Sequence, residues 1–311
     1  MIEVRGLTKD YGTTRAVDGL TFRVQPGRVT GFLGPNGAGK STTIRAMIGL
    51  DRPTSGEVLI DGKHYEDLPR PLTTVGALLD ARAVHSGRSV RGHLTGLARS
   101  NRLPLRRVDE LLEMVGLASV AGKRAKGLSL GMAQRLGIAA ALLGDPQALL
   151  LDEPVNGLDP EGVKWIRDLM KHMADEGRAV LVSSHLMSEM ALTAGHLVVI
   201  GRGRLLADTS AEEFIAGNSR SYVLIRTPEP ERMRDLLAAR GIHVDQGADG
   251  SLEAVGTDPR TVGTLAAENR IPVYEVSPRT ASLEEAFMQF TAGSVEFRAE
   301  RAAQAEQEAV R

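Results

Sequence analysis

Gly34-Pro35-Asn36-Gly37-Ala38-Gly39-Lys40-Ser41 has the spacing G-x-x-x-x-G-K-S, and Thr42 follows it. These residue types suit a triphosphate. Glycines let successive backbone N–H groups curl around phosphate oxygens, and a helix starting at the lysine adds positive potential at its N-terminus. Lys40 can reach β- and γ-phosphate oxygens, and the Ser41 hydroxyl can ligate Mg²⁺. The plainer reading is a glycine-rich turn with a surface lysine. A second group is Leu149-Leu150-Leu151-Asp152-Glu153, an apolar run that ends on two carboxylates. Asp152 can hold Mg²⁺ directly or through water, and Glu153 can orient or deprotonate an attacking water. A strand ending in acidic residues is often only structural. Downstream of a phosphate loop it gains a chemical reading.

The surrounding pattern supplies elements to position these groups. Val29 to Leu33 reads as a short apolar strand running into Gly34, and a helix is expected from Lys40 through Ile44, Met47 and Ile48. Ala148–Leu151 and Ala179–Val182 are too short and too uniformly apolar for helices and suit central parallel strands. Thr21–Val24 and Glu57–Ile60 read as further strands. Apolar periodicity predicts helices over Val108–Val115, Met132–Leu143 and Val163–Met173, and a mostly helical region over about 75–127. Strands alternating with helices imply a doubly wound α/β domain over 1–217.

After Gly217 the pattern changes. It reads as strand (Tyr222–Ile225), helix (Glu231–Ala239), strands near Val244 and over Leu252–Val255, helix (Thr261–Glu268), strand (Val273–Val276) and helix (Leu283–Phe290). This is a small α/β domain over 218–293, with capping boxes at Ser210/Glu213 and Ser282/Glu285. Residues 294–311 form a charged tail.

Composition narrows the functions. The 311 residues carry a net charge of −1, with 38 basic against 39 acidic side chains, so no nucleic-acid partner is expected. The absence of cysteine excludes disulfides, iron–sulfur clusters, thiolate zinc sites and cysteine nucleophiles. No apolar run approaches the roughly 20 residues of a membrane span, and the N-terminus lacks the pattern of a secretory signal. A place in the cytosol is therefore expected, with any membrane role acting through a partner. Thirty-one arginines against seven lysines point to a GC-rich bacterial genome. His64, His85, His93, His172, His196 and His243 lack metal-ligand spacing, Trp165 reads as packing, and Lys123-Arg124-Ala125-Lys126 as a solvated face.

Further motifs connect the chain to a family. Leu128-Ser129-Leu130-Gly131-Met132 precedes a helix, Asn156-Gly157-Leu158-Asp159-Pro160 follows Glu153, and Ser184-His185 ends the next strand. With the two groups above, these resemble the ATPase subunits of ABC transporters over residues 2 to about 214. The resemblance implies a P-loop NTPase domain with a helical insertion, followed here by the C-terminal accessory domain. It implies ATP and Mg²⁺ as cofactors, with Ser41, Asp152 and Asp80 as metal contacts. It assigns ATP contacts to residues 34–42, adenine stacking to Tyr11 and a second base contact to Val17. Glu153 and His185 become the catalytic pair. Ser129, Leu130, Gly131 and Met132 become the signature motif that touches ATP held by a second copy, and Asp159 lies in the loop at that interface.

Two departures mark the chain. Asp80 stands where the family usually carries glutamine, and Leu130 and Met132 stand where the signature usually has glycine and glutamine. Both look like the drug- and antibiotic-export branch of daunorubicin and bacitracin type, as does Ser282-Leu283-Glu284-Glu285-Ala286-Phe287. The expected partners are a multi-span permease, reached at the cytoplasmic face of the plasma membrane, and a second ATPase copy, identical or paralogous. The permease would dock on residues 75–127. Two other readings stand beside this one: a soluble ABC ATPase acting on ribosomes or DNA, and a P-loop GTPase or small-molecule kinase. The Asn-Lys-x-Asp base-reading motif of the GTPases is absent, and the signature motif has no role in a kinase.

Overall fold

A computed structural model describes residues 1–85, 87–247 and 249–291. The expected tail, 294–311, lies outside the described residues, as do the last two residues of the expected C-terminal domain. The chain divides into two units, Met1–Ala211 and a second beginning at Glu212.

The first unit opens with β1 (Ile2–Tyr11), β2 (Thr14–Val24) and β3 (Arg28–Leu33), followed by α1 (Lys40–Met47) and β4 (Ser55–Ile60). A one-turn helix α2 (Pro71–Thr74) leads into β5 (Val75–Leu78). Then come α3 (Val90–Ser100), α4 (Arg106–Met114), α5 (Leu130–Ala141), β6 (Ala148–Asp152), α6 (Pro160–Asp175), β7 (Ala179–Ser183), α7 (Met187–Thr193), β8 (His196–Gly201) and β9 (Arg204–Ser210). Strands β2-β1-β4 form an antiparallel sheet. A six-stranded sheet runs β5-β6-β7-β3-β8-β9, parallel except for β9.

Every side chain of β6 and β7 is buried, as expected for strands covered on both faces. One apolar core joins both sheets and α1, through Ile2, Leu20, Phe22, Phe32, Ile44, Leu150, Leu181 and Val198. Phe22 stacks on Phe32 with ring centroids 5.3 Å apart.

The region expected to be helical over 75–127 begins instead with β5, paired in parallel to β6. Four residues are too few for periodicity to separate strand from helix. Helices appear only from Val90, where Ser89 caps α3 by accepting the Gly92 N–H. Within the insertion, α4 buries Val108, Leu111 and Leu112 as its spacing predicts. Helix α7 and strands β8 and β9 were not among the expected elements.

The second unit begins inside α8 (Ala211–Asn218), six residues before the expected boundary, because Phe214 on that helix packs edge-on against Phe290 at 5.2 Å. It continues as β10 (Tyr222–Arg226), α9 (Pro230–Ala239), β11 (His243–Gln246), β12 (Leu252–Val255), α10 (Pro259–Glu268) and β13 (Glu275–Arg279), ending in a helical segment over 283–291. The sheet order β11-β12-β10-β13 is antiparallel throughout, the split βαββαβ arrangement. Strand β13 starts two residues later than its apolar run suggested. Val223, Ile225, Met233, Leu237, Leu252 and Val262 form its core. At the last helical segment the Ser282 hydroxyl accepts the Glu285 N–H, and Ser219 bridges back by accepting the Ser282 N–H and donating to the Glu285 carboxylate.

Candidate functional site

Strand β3 carries the chain from the buried core into the loop 34–39, and α1 starts at Lys40. Gly39 closes the loop in the left-handed region, with φ 105, and a β-carbon there would lie 2.5 Å from the Ala16 carbonyl oxygen. Only glycine fits. Among the described residues no side chain caps the first turn of α1, and that turn holds no carboxylate. Its N–H groups and its dipole are therefore available to an anion. They border a cavity of about 240 Å³ lined by residues 36–42 with Ala16, Asp152 and Glu153.

Lys40 is 7% exposed, and its Nζ donates to the Gly34 carbonyl at 2.6 Å and to that of Pro35 at 3.3 Å. Burial pushes this ammonium below the usual lysine range, while the Glu153 and Asp152 carboxylates pull it back up. A buried cation with only carbonyl partners suits a ligand that brings negative charge.

Asp152 ends β6, nearly buried, and accepts from the Ser183 hydroxyl at 2.5 Å. Glu153 follows in a left-handed conformation, φ 51. Its N–H donates to the Ser183 carbonyl at 3.2 Å and hydroxyl at 3.0 Å, and its carbonyl accepts from Gln134 Nε2 at 3.1 Å. Its carboxylate lies 2.7 Å from Nδ1 of the half-exposed His185. The structure thus brings together the loop, Lys40, Asp152, Glu153 and His185. A triphosphate on the loop would face a carboxylate pair and an imidazole. Mg²⁺ fits this donor set: a serine hydroxyl at Ser41 and one carboxylate at Asp152, with the rest of its shell from phosphate and water. Among the described residues no group of three or more His, Asp or Glu could hold a metal by itself.

Tyr11 ends β1 with 47% of its surface exposed, and its hydroxyl donates to Asp51 at 2.6 Å. Asp51 also accepts from Arg45 on α1 at 2.7 and 3.2 Å, which holds its carboxyl below the usual range. The ring is held beside α1 with much of its surface open. Val17 corrects the expectation of a second base contact, because it is fully buried in the core. Side chains alternate along β2, so it is the neighbouring Ala16 that lines the cavity.

Of the signature residues, Ser129 and Leu130 line a different cavity of about 350 Å³, with Arg82, Val84, Lys126 and Ala133, while Gly131 and Met132 do not. Ser129 caps α5 by accepting the Met132 N–H at 3.3 Å, and Leu130 is 42% exposed. Asp159 caps α6 through the Gly162 N–H at 2.9 Å and lies 3.6 Å from Arg135, whose guanidinium stacks over Trp165. Asp80 is exposed. Its Oδ1 accepts the Arg82 N–H at 2.7 Å in a local turn, and it does not line the phosphate-loop cavity.

Gln134, Ser183, Asp51 and Ala16 were not singled out by sequence. Gln134 and Ser183 act on backbone brought close only by the fold. A larger cavity, about 480 Å³, lies at the other end of β3 among Glu3, Arg5, Arg23, Arg28 and Asp208. It lacks a free helix N-terminus, so the smaller cavity carries the chemistry.

Residues 17–156 match the ABC transporter family, and residues 221–284 match a domain of unknown function. An uncharacterized ABC transporter ATP-binding protein of Bacillus subtilis is 35% identical, covering 94% of this chain and 96% of its own length. A bacitracin transport ATP-binding protein of Bacillus licheniformis is 34% identical over 94% of this chain and 98% of its own. The dimeric structure of a bacterial ABC transporter cassette superposes with a TM-score of 0.62 at 26% identity, covering 68% of this chain and 98% of that one.

Proposed function

This chain belongs to the ATP-binding proteins of ABC transporters, and from that premise we propose which of its residues do the work. It is an ATP-binding and ATP-hydrolysing subunit of such a transporter, and proteins of this kind work as dimers with a membrane permease. The soluble alternative on ribosomes or DNA finds no support, since relatives matching 94% of the chain are named as ABC transporter or transport proteins.

The loop amides of residues 36–42 and Lys40 hold the β- and γ-phosphates. Ser41 and Asp152 hold Mg²⁺, which supplies charge neutralisation of the phosphates when bound. Glu153 takes the proton of the attacking water, and His185 orients that carboxylate and contacts the γ-phosphate. Tyr11 stacks on adenine. Ser129 and Gly131 of a second copy complete the site from the other side, and Asp159 lies at that meeting. Residues within 75–127 receive the permease, at the cytoplasmic face of the membrane. Among the described residues no helix is long and apolar enough to cross a bilayer. The likeness to a bacitracin transport protein favours export of a drug, antibiotic or other amphipathic cargo. The second unit is an accessory to the ATPase, since the phosphate loop, acidic pair, signature and histidine all precede it.

One observation carries this reading: a buried lysine with carbonyl partners, facing two carboxylates across the open N-terminus of α1. Lys40→Ala should abolish ATP binding or hydrolysis while leaving the melting temperature within a few degrees. Near-normal hydrolysis would refute the site.

A further inference from the structure

Glu153 is held in an unusual way. Its positive φ is uncommon for a residue with a side chain, and such strain persists only where the surroundings over-determine it. Here both polar groups of its backbone are fixed, and from different directions. Ser183 at the end of β7 accepts its N–H with two oxygens, and Gln134 on α5 donates to its carbonyl at 3.1 Å. Gln134 is 4% exposed, so its amide is desolvated and depends on such a partner. The next residue, Arg135, lies 3.6 Å from Asp159, so α5 holds the segment 153–159 at both ends. Ser183 belongs to the central sheet and is rigidly placed. The carbonyl also accepts the Asn156 N–H at 3.3 Å, a bond within its own turn, so the α5 amide is what ties it to another element.

We propose that Gln134 is a positioning residue for Glu153, fixing the strained peptide through its carbonyl so that the carboxylate stays aligned on the attacking water. The proposal rests on the reading of Glu153 as the base. Without the amide donor the peptide can relax towards ordinary φ, and the carboxylate swings away while the phosphate loop stays intact.

The test separates turnover from affinity in the full chain. Gln134→Met keeps the volume and removes the donor. Its kcat should fall roughly 10- to 100-fold. Its Kd for ATP by equilibrium binding should stay within about twofold, because no phosphate contact is touched. Gln134→Glu adds a second readout. Its protonated form can donate to the carbonyl and its ionised form cannot, so its kcat relative to wild type should rise as the pH falls from about 8 to about 5.5. If Gln134→Met does not fold, this ratio decides.

Wild-type turnover in Gln134→Met overturns the proposal. Parallel loss of affinity and turnover with a pH-independent ratio overturns it too, because that is the mark of a packing role. Glu153→Gln is measured alongside. If it keeps turnover, the base assignment fails. If it loses turnover and Gln134→Met does not, only the positioning role fails.

Discussion

Two corners of the first unit handle polar groups in opposite ways. At the phosphate loop the charged side chains are withdrawn and tied: Lys40 is 7% exposed and Asp152 9%. At the signature loop the residues stand open, with Leu130 42% exposed and Ser129 at the surface capping α5. Desolvated charges strengthen electrostatics and are costly without a ligand, so the first corner's own half of the site is finished within one chain. An exposed leucine beside a capping serine gains by being covered, so the second corner is half of a contact. The difference teaches that a single fold can carry one half-site with its charges preset and one surface that does its work only against a second molecule.

Three substitutions sharpen or break this comparison. The largest effect belongs to Glu153→Gln, which keeps the shape at the finished corner and removes the base. Turnover should fall by about 10²- to 10⁴-fold with ATP affinity retained. ATP should then trap a dimer visible by size exclusion, and a variant that hydrolyses normally would break the assignment of that corner. Next is Leu130→Asp at the open corner. Leu130 has less than half of its surface left to cover in a contact, worth up to about 1 kcal/mol, and a charge placed near phosphate adds to it. Dimer formation measured in the Glu153→Gln background should weaken by about tenfold or more, with monomer melting and monomer ATP affinity unchanged. Unchanged dimerisation would show that this surface faces no partner. The smallest effect is at Asp80→Ala. Its turn bond to Arg82 is worth about 0.5–1.5 kcal/mol, so basal hydrolysis and ATP affinity should change by no more than a few-fold. Stimulation by the permease should fall further than basal turnover, and equal stimulation in wild type and variant would leave Asp80 as a turn residue only.

Much of the finished corner is legible in sequence because its parts are local. Loop spacing, the strand before it and the helix after it are written in consecutive residues, as is the apolar run ending at Asp152. What sequence missed depends on what comes close across the fold. Strand β5 is four residues long, and its Gly76 is required because a β-carbon there would lie 2.0 Å from the Ala141 carbonyl oxygen of α5. Nothing within 75–78 announces that neighbour. Val17 is buried, and the alternation of β2 turns Ala16 to the phosphate-loop cavity in its place. Gln134 carries no motif of its own as a support for Glu153, since its partner is a main-chain carbonyl. In the second unit the elements were legible from periodicity, while the antiparallel order of β11-β12-β10-β13 follows from pairing alone.

The place of β3 in the sheet also sets when this protein can first acquire its activity. The strand that presents the phosphate loop ends at Leu33, yet its two neighbours, β7 and β8, end at Ser183 and Gly201. During synthesis at about 5–20 residues per second, β3 waits roughly ten to thirty seconds for them. Until Ser183 is made, the nascent chain carries the whole loop while β3 has neither of its neighbours, and β8 follows only at Gly201. Nucleotide can stabilise only the folded form, so ATP offers no protection until translation has passed Gly201. Chains truncated before that point are expected to be clients of chaperones and proteases, and those ending soon after it to be the shortest that ATP rescues.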